Sequence, residues 1–170
     1  MATFEVNTLV DEADYGFINP FNGVPFGPDT SLREAIALAN ATTEEDTITF
    51  AAGLSGTIKL TTGTEIAITS DLTIEGENRI TVSGDADEND TLITNAGFSG
   101  EVTNAAAAYE AQLAGNTRIF NISNGGDVVI DGLTLTGGRA NDGDATGGGS
   151  SGGGAIRVTS DSNDSDIASV

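Results

Sequence analysis

The stretch Asp71-Leu-Thr-Ile-Glu-Gly76 decides the fold. Its two aliphatic residues are two positions apart, so in a strand they face one side while the residues between and after them face the other. A second stretch, Asp127-Val-Val-Ile-Asp-Gly132, repeats this order of acidic, apolar and glycine positions. Weak repetition at a distance predicts strands that stack on one another in successive turns of a solenoid.

The same spacing of apolar residues recurs along the whole chain from Asp46 onward. The pairs are Ile48/Phe50, Ile58/Leu60, Ile66/Ile68, Leu72/Ile74, Ile80/Val82, Phe120/Ile122, Val128/Ile130, Leu133/Leu135 and Ile156/Val158. Turns rich in Gly, Asp, Asn and Ser separate them, rather than helices, which argues against a βαβ arrangement. We predict an all-β fold, a parallel β-helix in which three short strands make one coil and the nine pairs supply about three coils. An antiparallel sandwich of short strands is the alternative.

The segment before Asp46 is different in kind. Ser31-Leu-Arg-Glu34 fits a capping box, which predicts a short amphipathic helix over about 31–41. Leu32, Ile36 and Ala39 then lie on one face of that helix. We expect residues 1–45 to form an N-terminal cap that covers the open end of the first coil, and residues 46–170 to form the first coils.

A second irregular segment spans about residues 97–116. Its alanine-rich run, Asn104 to Ala114, predicts a short helix with Asn104 as the N-cap. We interpret the segment as an insertion looped out between coils, which acts either as a packing flap or as a lid or partner-binding element.

The composition excludes several classes of function. Twenty-six acidic residues oppose six basic ones, for a formal charge of −20, and the chain has no histidine and no cysteine. This balance argues against binding nucleic acid, whose phosphates need Lys and Arg, and no apolar run of about 18 residues exists that could insert into a membrane. The lack of both residues excludes thiol catalysis, acid/base catalysis by histidine, and zinc sites built from Cys or His.

The predicted helix and its surroundings resemble a known family. Thr30-Ser-Leu-Arg-Glu-Ala-Ile-Ala-Leu-Ala-Asn40 resembles the CSLREAI…AN signature near the start of many large exported bacterial right-handed parallel β-helix proteins. Further similar stretches are Phe4-Glu-Val-Asn-Thr-Leu-Val-Asp-Glu-Ala-Asp14, Asp46-Thr-Ile-Thr-Phe50, Thr117-Arg-Ile-Phe120 and Gly132-Leu-Thr-Leu-Thr-Gly-Gly138. The resemblance covers nearly the whole chain and implies the right-handed form of the β-helix.

One departure from the family concerns the cap. Thr30 stands where the family has a cysteine, and no partner cysteine exists upstream. Whatever a disulfide stabilises in the relatives, packing, hydrogen bonds or a bound ion must stabilise here.

The resemblance implies a non-catalytic structural or adhesive module of an extracellular or cell-surface bacterial protein, with a surface glycan or matrix component as its partner. The alternatives are the first coils of a carbohydrate-active β-helix lyase or hydrolase, and a filament subunit. The first residues lack the basic and apolar regions of a secretory signal, so the resemblance implies a C-terminal secretion signal in a longer chain.

The end of the sequence predicts an open stack. Ile167 and Val170 resemble the start of another strand, and no C-terminal cap follows them. We expect this chain to be the N-terminal piece of a longer polypeptide, or a homo-oligomer in which a neighbouring subunit covers the open end.

Three acidic clusters are candidates for a weak Ca²⁺ site, because hard oxygen ligands at alternating positions suit that ion. Solvated turns are the alternative for each cluster, and the first cluster, Asp85 to Asp90, does not fit the EF-hand pattern. The candidate ligands are Asp85, Asp87, Asn89, Asp142, Asp144, Asp161 and Asn163.

The few basic residues have structural and functional interpretations. We expect Arg33 to form a salt bridge with Glu5, Asp11 or another acidic residue of the cap. In β-helix lyases the proton-accepting base is an Arg or Lys on the outer face of parallel strands. The candidates here are Arg118 and Arg157, if they face outward near Asp71, Asp127 or Asp131, with surface charge pairing as the alternative.

Overall fold

A computed structural model of the chain describes residues 1–14, 29–88, 115–123, 127–139 and 154–159, and the structural statements below concern these residues. They are mostly strands in parallel sheets, with one short helix, α1 (Leu32–Ala39). The strands are β1 (Thr3–Val6), β2 (Asp46–Phe50), β3 (Gly56–Lys59), β4 (Ile66–Ile68), β5 (Leu72–Ser83), β6 (Phe120–Ile122), β7 (Val128–Thr136) and β8 (Ile156–Val158).

The pairing of the strands follows their order along the chain. β2 and β3 both pair with β5, and β4 pairs with β6. β5 in turn pairs with β7, and β6 pairs with β8. We call β2 to β4 the lower layer, β5 and β6 the middle layer, and β7 and β8 the upper layer. Every strand pair in the described part of the chain is parallel, so an antiparallel sandwich is wrong for these residues.

The two repeated stretches lie directly on one another. Leu72 pairs in register with Val128, and Ile74 pairs with Ile130. The predicted strands Leu72/Ile74 and Ile80/Val82 are joined in one continuous strand, β5, whose register against β7 shifts between Glu75 and Ile80. In this corner the middle layer has residues 76–79 where the upper layer has Gly132 alone. The repetition is confirmed as stacking, and its unequal corners explain why the sequence similarity is weak.

The core lies between the sheets and is closed on one side by α1. Ile48 and Ile74 stack in register and are both fully buried. The helix contributes its predicted apolar face, and it packs against β1, β2 and β4. The buried apolar residues of β1, α1 and the lower two layers with their adjoining turns form one cluster: Val6, Leu32, Ala35, Ile36, Ala39, Ile48, Phe50, Ile58, Leu60, Ile66, Ile68, Leu72, Ile74, Ile80, Val82, Ile119, Phe120 and Ile122.

The first 45 residues hold both a confirmed element and an unexpected one. The helix predicted over about 31–41 spans Leu32–Ala39, with Ser31 as its N-cap and Asn40 as its C-cap. β1 was not predicted, yet it pairs with β2 through Phe4 and Ile48. Phe4 and Val6 have the same spacing as the predicted strand pairs, but we expected the segment before Asp46 to form a cap rather than a strand. The helix predicted over Asn104 to Ala114 lies outside the described residues.

Gly84 lies in a turn where separate segments of the chain approach one another closely. It follows β5 and accepts a hydrogen bond from Thr117 N–H at 2.9 Å. A Cβ at Gly84 would collide with the Thr117 carbonyl oxygen and lie 2.8 Å from that of Gly137. Both obstacles are backbone atoms of other segments, one just before β6 and one just after β7, so a side chain at Gly84 would force these segments apart.

We predict that Gly84→Ala destabilises the protein by about 3 kcal/mol, the upper range for overpacking, in urea unfolding followed by circular dichroism. Gly53→Ala is the control, because Gly53 has a φ of +87° but open space around it. That change adds only the left-handed backbone cost of about 1–2 kcal/mol. Equal losses in the two variants would contradict the close approach.

Candidate functional site

The most developed polar arrangement lies along the lower edge of the sheets, where no further layer of strands follows in the described chain. An exposed strand edge presents unpaired N–H and C=O groups that invite another chain. β1 pairs with the lower edge of β2. At β4 the edge is bound instead by two side chains of the helix region, Asn40 and Arg33.

Asn40 binds β4 as a strand would. Its Nδ2 donates to the Ala67 carbonyl at 2.8 Å, and its Oδ1 accepts from Thr69 N–H at 2.8 Å. A residue of a neighbouring parallel strand makes the same two bonds, to the carbonyl before and the N–H after its partner. The carboxamide thus stands in for the peptide group of a missing strand beside Ile68.

Arg33 binds the chain just before β4. Its Nη1 donates to the Glu65 carbonyl at 3.1 Å and its Nη2 to the Thr64 carbonyl at 2.8 Å. The same guanidinium forms a bidentate pair with Asp11, at 2.7 and 3.2 Å. Asp11 also accepts from Thr62 N–H at 3.0 Å, and its side chain is 1% exposed. Asp11 is one of the partners predicted for Arg33, and that salt bridge is confirmed.

The helix begins with the predicted capping box. Glu34 N–H donates to Ser31 Oγ at 3.1 Å, and Ser31 N–H donates to Glu34 Oε2 at 2.8 Å. Asp14 N–H donates to Glu34 Oε1 at 2.9 Å, so the carboxylate also holds the chain that leads away from β1. Burial by itself would raise the pKa of Glu34, but the bonds from Ser31 and Asp14 outweigh it and lower that pKa. The hydrogen bond with Glu34 raises the pKa of Asp14.

Thr30, which stands where the β-helix family that the sequence resembles has a cysteine, is held by hydrogen bonds. Its N–H donates to Asn7 Oδ1 at 2.6 Å, and Asn7 N–H donates to the Thr30 carbonyl at 3.0 Å. This reciprocal pair ties the end of β1 to the start of the helix. Hydrogen bonding is one of the three substitutes for a disulfide that the sequence left open.

An aspartate precedes or starts the first strand segment in each layer. Asp46 is fully buried and accepts from Ala2 N–H at 2.6 Å and from the Thr42 hydroxyl. The hydrogen bond from Thr42 lowers the pKa of Asp46, and the Ala2 N–H adds to this against the opposing effect of burial. One layer higher, Asp71 Oδ1 accepts from Asp127 N–H at 2.9 Å.

Glu65 and Arg118 join the lower and middle layers. Arg118 Nη1 lies 2.8 Å from Glu65 Oε2, and Asn121 Nδ2 donates to Glu65 Oε1 at 2.6 Å. The Arg118 side chain is only 3% exposed. The sequence interpretation of Arg118 as an outward-facing group near Asp71, Asp127 or Asp131 is therefore wrong, because its guanidinium is buried against Glu65. A buried, paired guanidinium stays charged and does not accept a proton.

Two other basic residues of the described strands form partly exposed ion pairs. Lys59 pairs with Glu88 at 2.8 Å, and Arg79 pairs with Glu77 at 2.7 Å. Arg157 lies on β8 in register with Asn121.

The candidate calcium ligands are only partly within the described chain. Asp85 and Asp87 lie in the turn after β5, where Asp85 is buried and Asp87 is exposed. Asp85 N–H donates to Ser83 Oγ at 3.2 Å. The other candidates, Asn89, Asp142, Asp144, Asp161 and Asn163, lie outside the described residues. Among the residues that the structure describes, no three acidic side chains are grouped as a metal ion would require. Calcium binding stays a prediction.

Sequence reasoning located the helix and its cap but missed the functions of Asn40 and Glu65. Asn40 read only as the end of the helix, and Glu65 carried no motif at all. Their roles depend on distant backbone and side-chain partners. The one available signal was that an Asn placed just after a helix can offer both a donor and an acceptor to a neighbouring strand.

The comparisons with known proteins supply no identity. No family model, no curated protein and no solved structure matches this chain. Among the described residues, none of the helices has the length and apolar character to cross a bilayer.

We predict that Arg33→Lys lowers the free energy of unfolding by about 1.5–3 kcal/mol, the range for a hydrogen bond to a charged group. Lysine keeps the charge but cannot bind Asp11 in bidentate fashion while reaching two carbonyls. Urea unfolding at pH 7 measures the loss. The control is Lys59→Arg, because Lys59 pairs with a 70% exposed Glu88 and this pair contributes little. A loss at Arg33 no larger than at Lys59 would refute its anchoring role.

The lowered pKa of Asp46 predicts a loss of stability in acid. The ionised carboxylate stabilises the fold above its unfolded pKa of about 4, and this contribution disappears as pH falls through the lower folded value. Thermal unfolding from pH 5 to pH 2 should therefore show a smaller pH dependence in Asp46→Asn than in the wild type. Glu45→Gln, an exposed change of equal charge, should retain the wild-type dependence.

Proposed function

We propose that this chain is the helix-capped N-terminal part of a right-handed parallel β-helix, and that it is a non-catalytic structural or adhesive module of an extracellular bacterial protein. The observation that supports this proposal is the lower edge at β4. There Asn40 and Arg33 bind backbone groups of β4 and of the residue before it, which another strand would otherwise bind. A protein that ends a stack of strands in this way begins an elongated scaffold. The extracellular setting rests on the resemblance of Thr30 to Asn40 to the exported β-helix family.

Two features of the strands support the β-helix. Each layer presents its strands in the same order to the next, and all the pairs in the described ranges are parallel. The crossover that connects two parallel strands of one sheet, such as β2 and β5, is right-handed in nearly all proteins. This regularity favours the right-handed form.

The roles of the signature residues favour a structural function over a catalytic one. Ser31 and Glu34 cap the helix, Arg33 and Asn40 bind the edge of the sheet, and Leu32 is fully buried in the core. Each of these side chains is engaged in holding the helix on the strands. A polysaccharide substrate would find none of them free to react.

The carbohydrate-active alternative is open to a direct test. The full chain should show no turnover when incubated with a panel of acidic and neutral polysaccharides, with and without Ca²⁺, and assayed for reducing ends and for the absorbance of unsaturated products. Turnover that disappears in a matched preparation lacking the protein would replace the structural function by an enzymatic one.

We predict that Asn40→Leu opens the lower edge to other chains. Loss of the carboxamide leaves the Ala67 carbonyl and the Thr69 N–H unbound, at a cost of about 1–3 kcal/mol for unsatisfied backbone groups. Light scattering after size-exclusion chromatography should detect association that rises with protein concentration. Thr43→Leu, an exposed change that adds the same side chain nearby, should leave the mass distribution of the wild type unchanged. Unaltered mass and stability in Asn40→Leu would overturn the capping role.

A further inference from the structure

The apolar columns become more exposed toward the upper layer. In the column formed by Ile68, Ile122 and Val158, the exposed fraction rises from 0% to 8% to 71%. Val128 and Ile130 are likewise only partly buried, although Leu72 and Ile74 one layer below are fully buried. The upper layer therefore has the side-chain pattern of an inner layer without the corresponding burial.

Hydrogen bonds also link successive layers toward this edge. Ser123 N–H donates to the Ile68 carbonyl and Thr159 N–H to the Ile122 carbonyl, each at 2.9 Å. The Asp71 carboxylate accepts the N–H of Asp127 in the layer above. The corresponding groups of the upper layer are the carbonyl of Val158 and the exposed carboxylate of Asp127.

We propose that the upper layer is a docking surface for a further layer of parallel strands, supplied by the chain that follows Thr159. The incoming strand pairs with β7 and donates a backbone N–H to the Asp127 carboxylate, which fixes its register. This inference rests on the proposed function, since it supplies the direction in which the capped stack grows.

The length of chain after Thr159 suits this occupant. Leu72 begins β5 four residues after Ile68, and Val128 begins β7 six residues after Ile122. The same return from Val158 requires 4–6 residues, and residues 160–170 provide more than that. Although these residues lie outside the described part, their number is sufficient to reach β7.

A second copy of the chain fits the surface less well. It would continue the parallel columns only through its own lower edge, where β1, Arg33 and Asn40 already bind the strands. It would also bring a formal charge of −20 against an equal charge. The structure favours a segment of the same polypeptide.

Disulfide trapping in the full chain tests the proposal, because the protein has no cysteine of its own. Val129→Cys, on β7 and 54% exposed, is combined with one cysteine at a time at each position from 161 to 170. Oxidised glutathione should link the pairs within one chain at alternating positions, since side chains alternate across a strand and neighbouring strands lie within disulfide distance. Mass spectrometry identifies the linked pairs, and Thr57→Cys on β3 is the control partner.

The outcomes separate the occupants. Alternating links to Val129→Cys, at least tenfold faster than to Thr57→Cys, support the further layer. Equal rates with both partners, or no links, overturn it, and rapid disulfide dimers of the single Val129→Cys variant assign the surface to a second copy instead. If Asn40→Leu associates while these links fail to form, the capping function stands and only this inference falls.

The role of Asp127 has its own control. Asp127→Ala should slow the intramolecular links several-fold because the incoming N–H loses its acceptor. Asp131→Ala, an exposed change of equal charge on the same strand, should leave the rate within twofold. Similar rates in both variants would remove Asp127 from the docking surface while the alternating pattern still tested the layer itself.

Discussion

A parallel sheet must satisfy the backbone of its outermost strand, and this constraint governs the organisation of the described chain. Inside the stack, each strand binds the strands of the adjoining layers. At the lower edge no such layer exists in the described chain, and the protein meets the constraint in two ways. β1 supplies a real strand against β2, while Asn40 and Arg33 supply side-chain donors and an acceptor against β4 and the turn before it. The helix is therefore a hydrogen-bonding partner of the sheet as well as a cover for its core.

The helix can play this part because its polar ends are fixed independently of its apolar face. The capping box sets where the helix begins, and Asp11 orients the guanidinium of Arg33 toward the carbonyls before β4. Asn7 and Thr30 join the end of β1 to the start of the helix. The capping box is local, whereas the Arg33–Asp11 and Thr30–Asn7 bonds join residues 22 and 23 positions apart in the sequence. Together they hold the cap without a disulfide.

Basic residues of the described chain form ion pairs that differ in how deeply they are buried. Arg33 with Asp11 and Arg118 with Glu65 are the inner ones, and each guanidinium is less than one-eighth exposed. Removal of one partner from such a pair leaves an uncompensated buried charge, which is costly. The pairs of Lys59 and Arg79 lie at the surface and contribute less. The scarce cations thus contribute most where they join the cap or the layers together.

The sequence alone determined the strands from Asp46 onward, their inward faces and the capped helix, because each follows from local rules: a period of two, a capping box and an apolar stripe. It also predicted that the stretches beginning at Asp71 and Asp127 occupy equivalent positions in successive layers. Only the tertiary structure decided that β1 joins the sheet, that Asn40 imitates a peptide group, and that Arg118 turns inward to Glu65. These features depend on backbone groups and side chains that are distant in the sequence, and a local pattern cannot predict such partners.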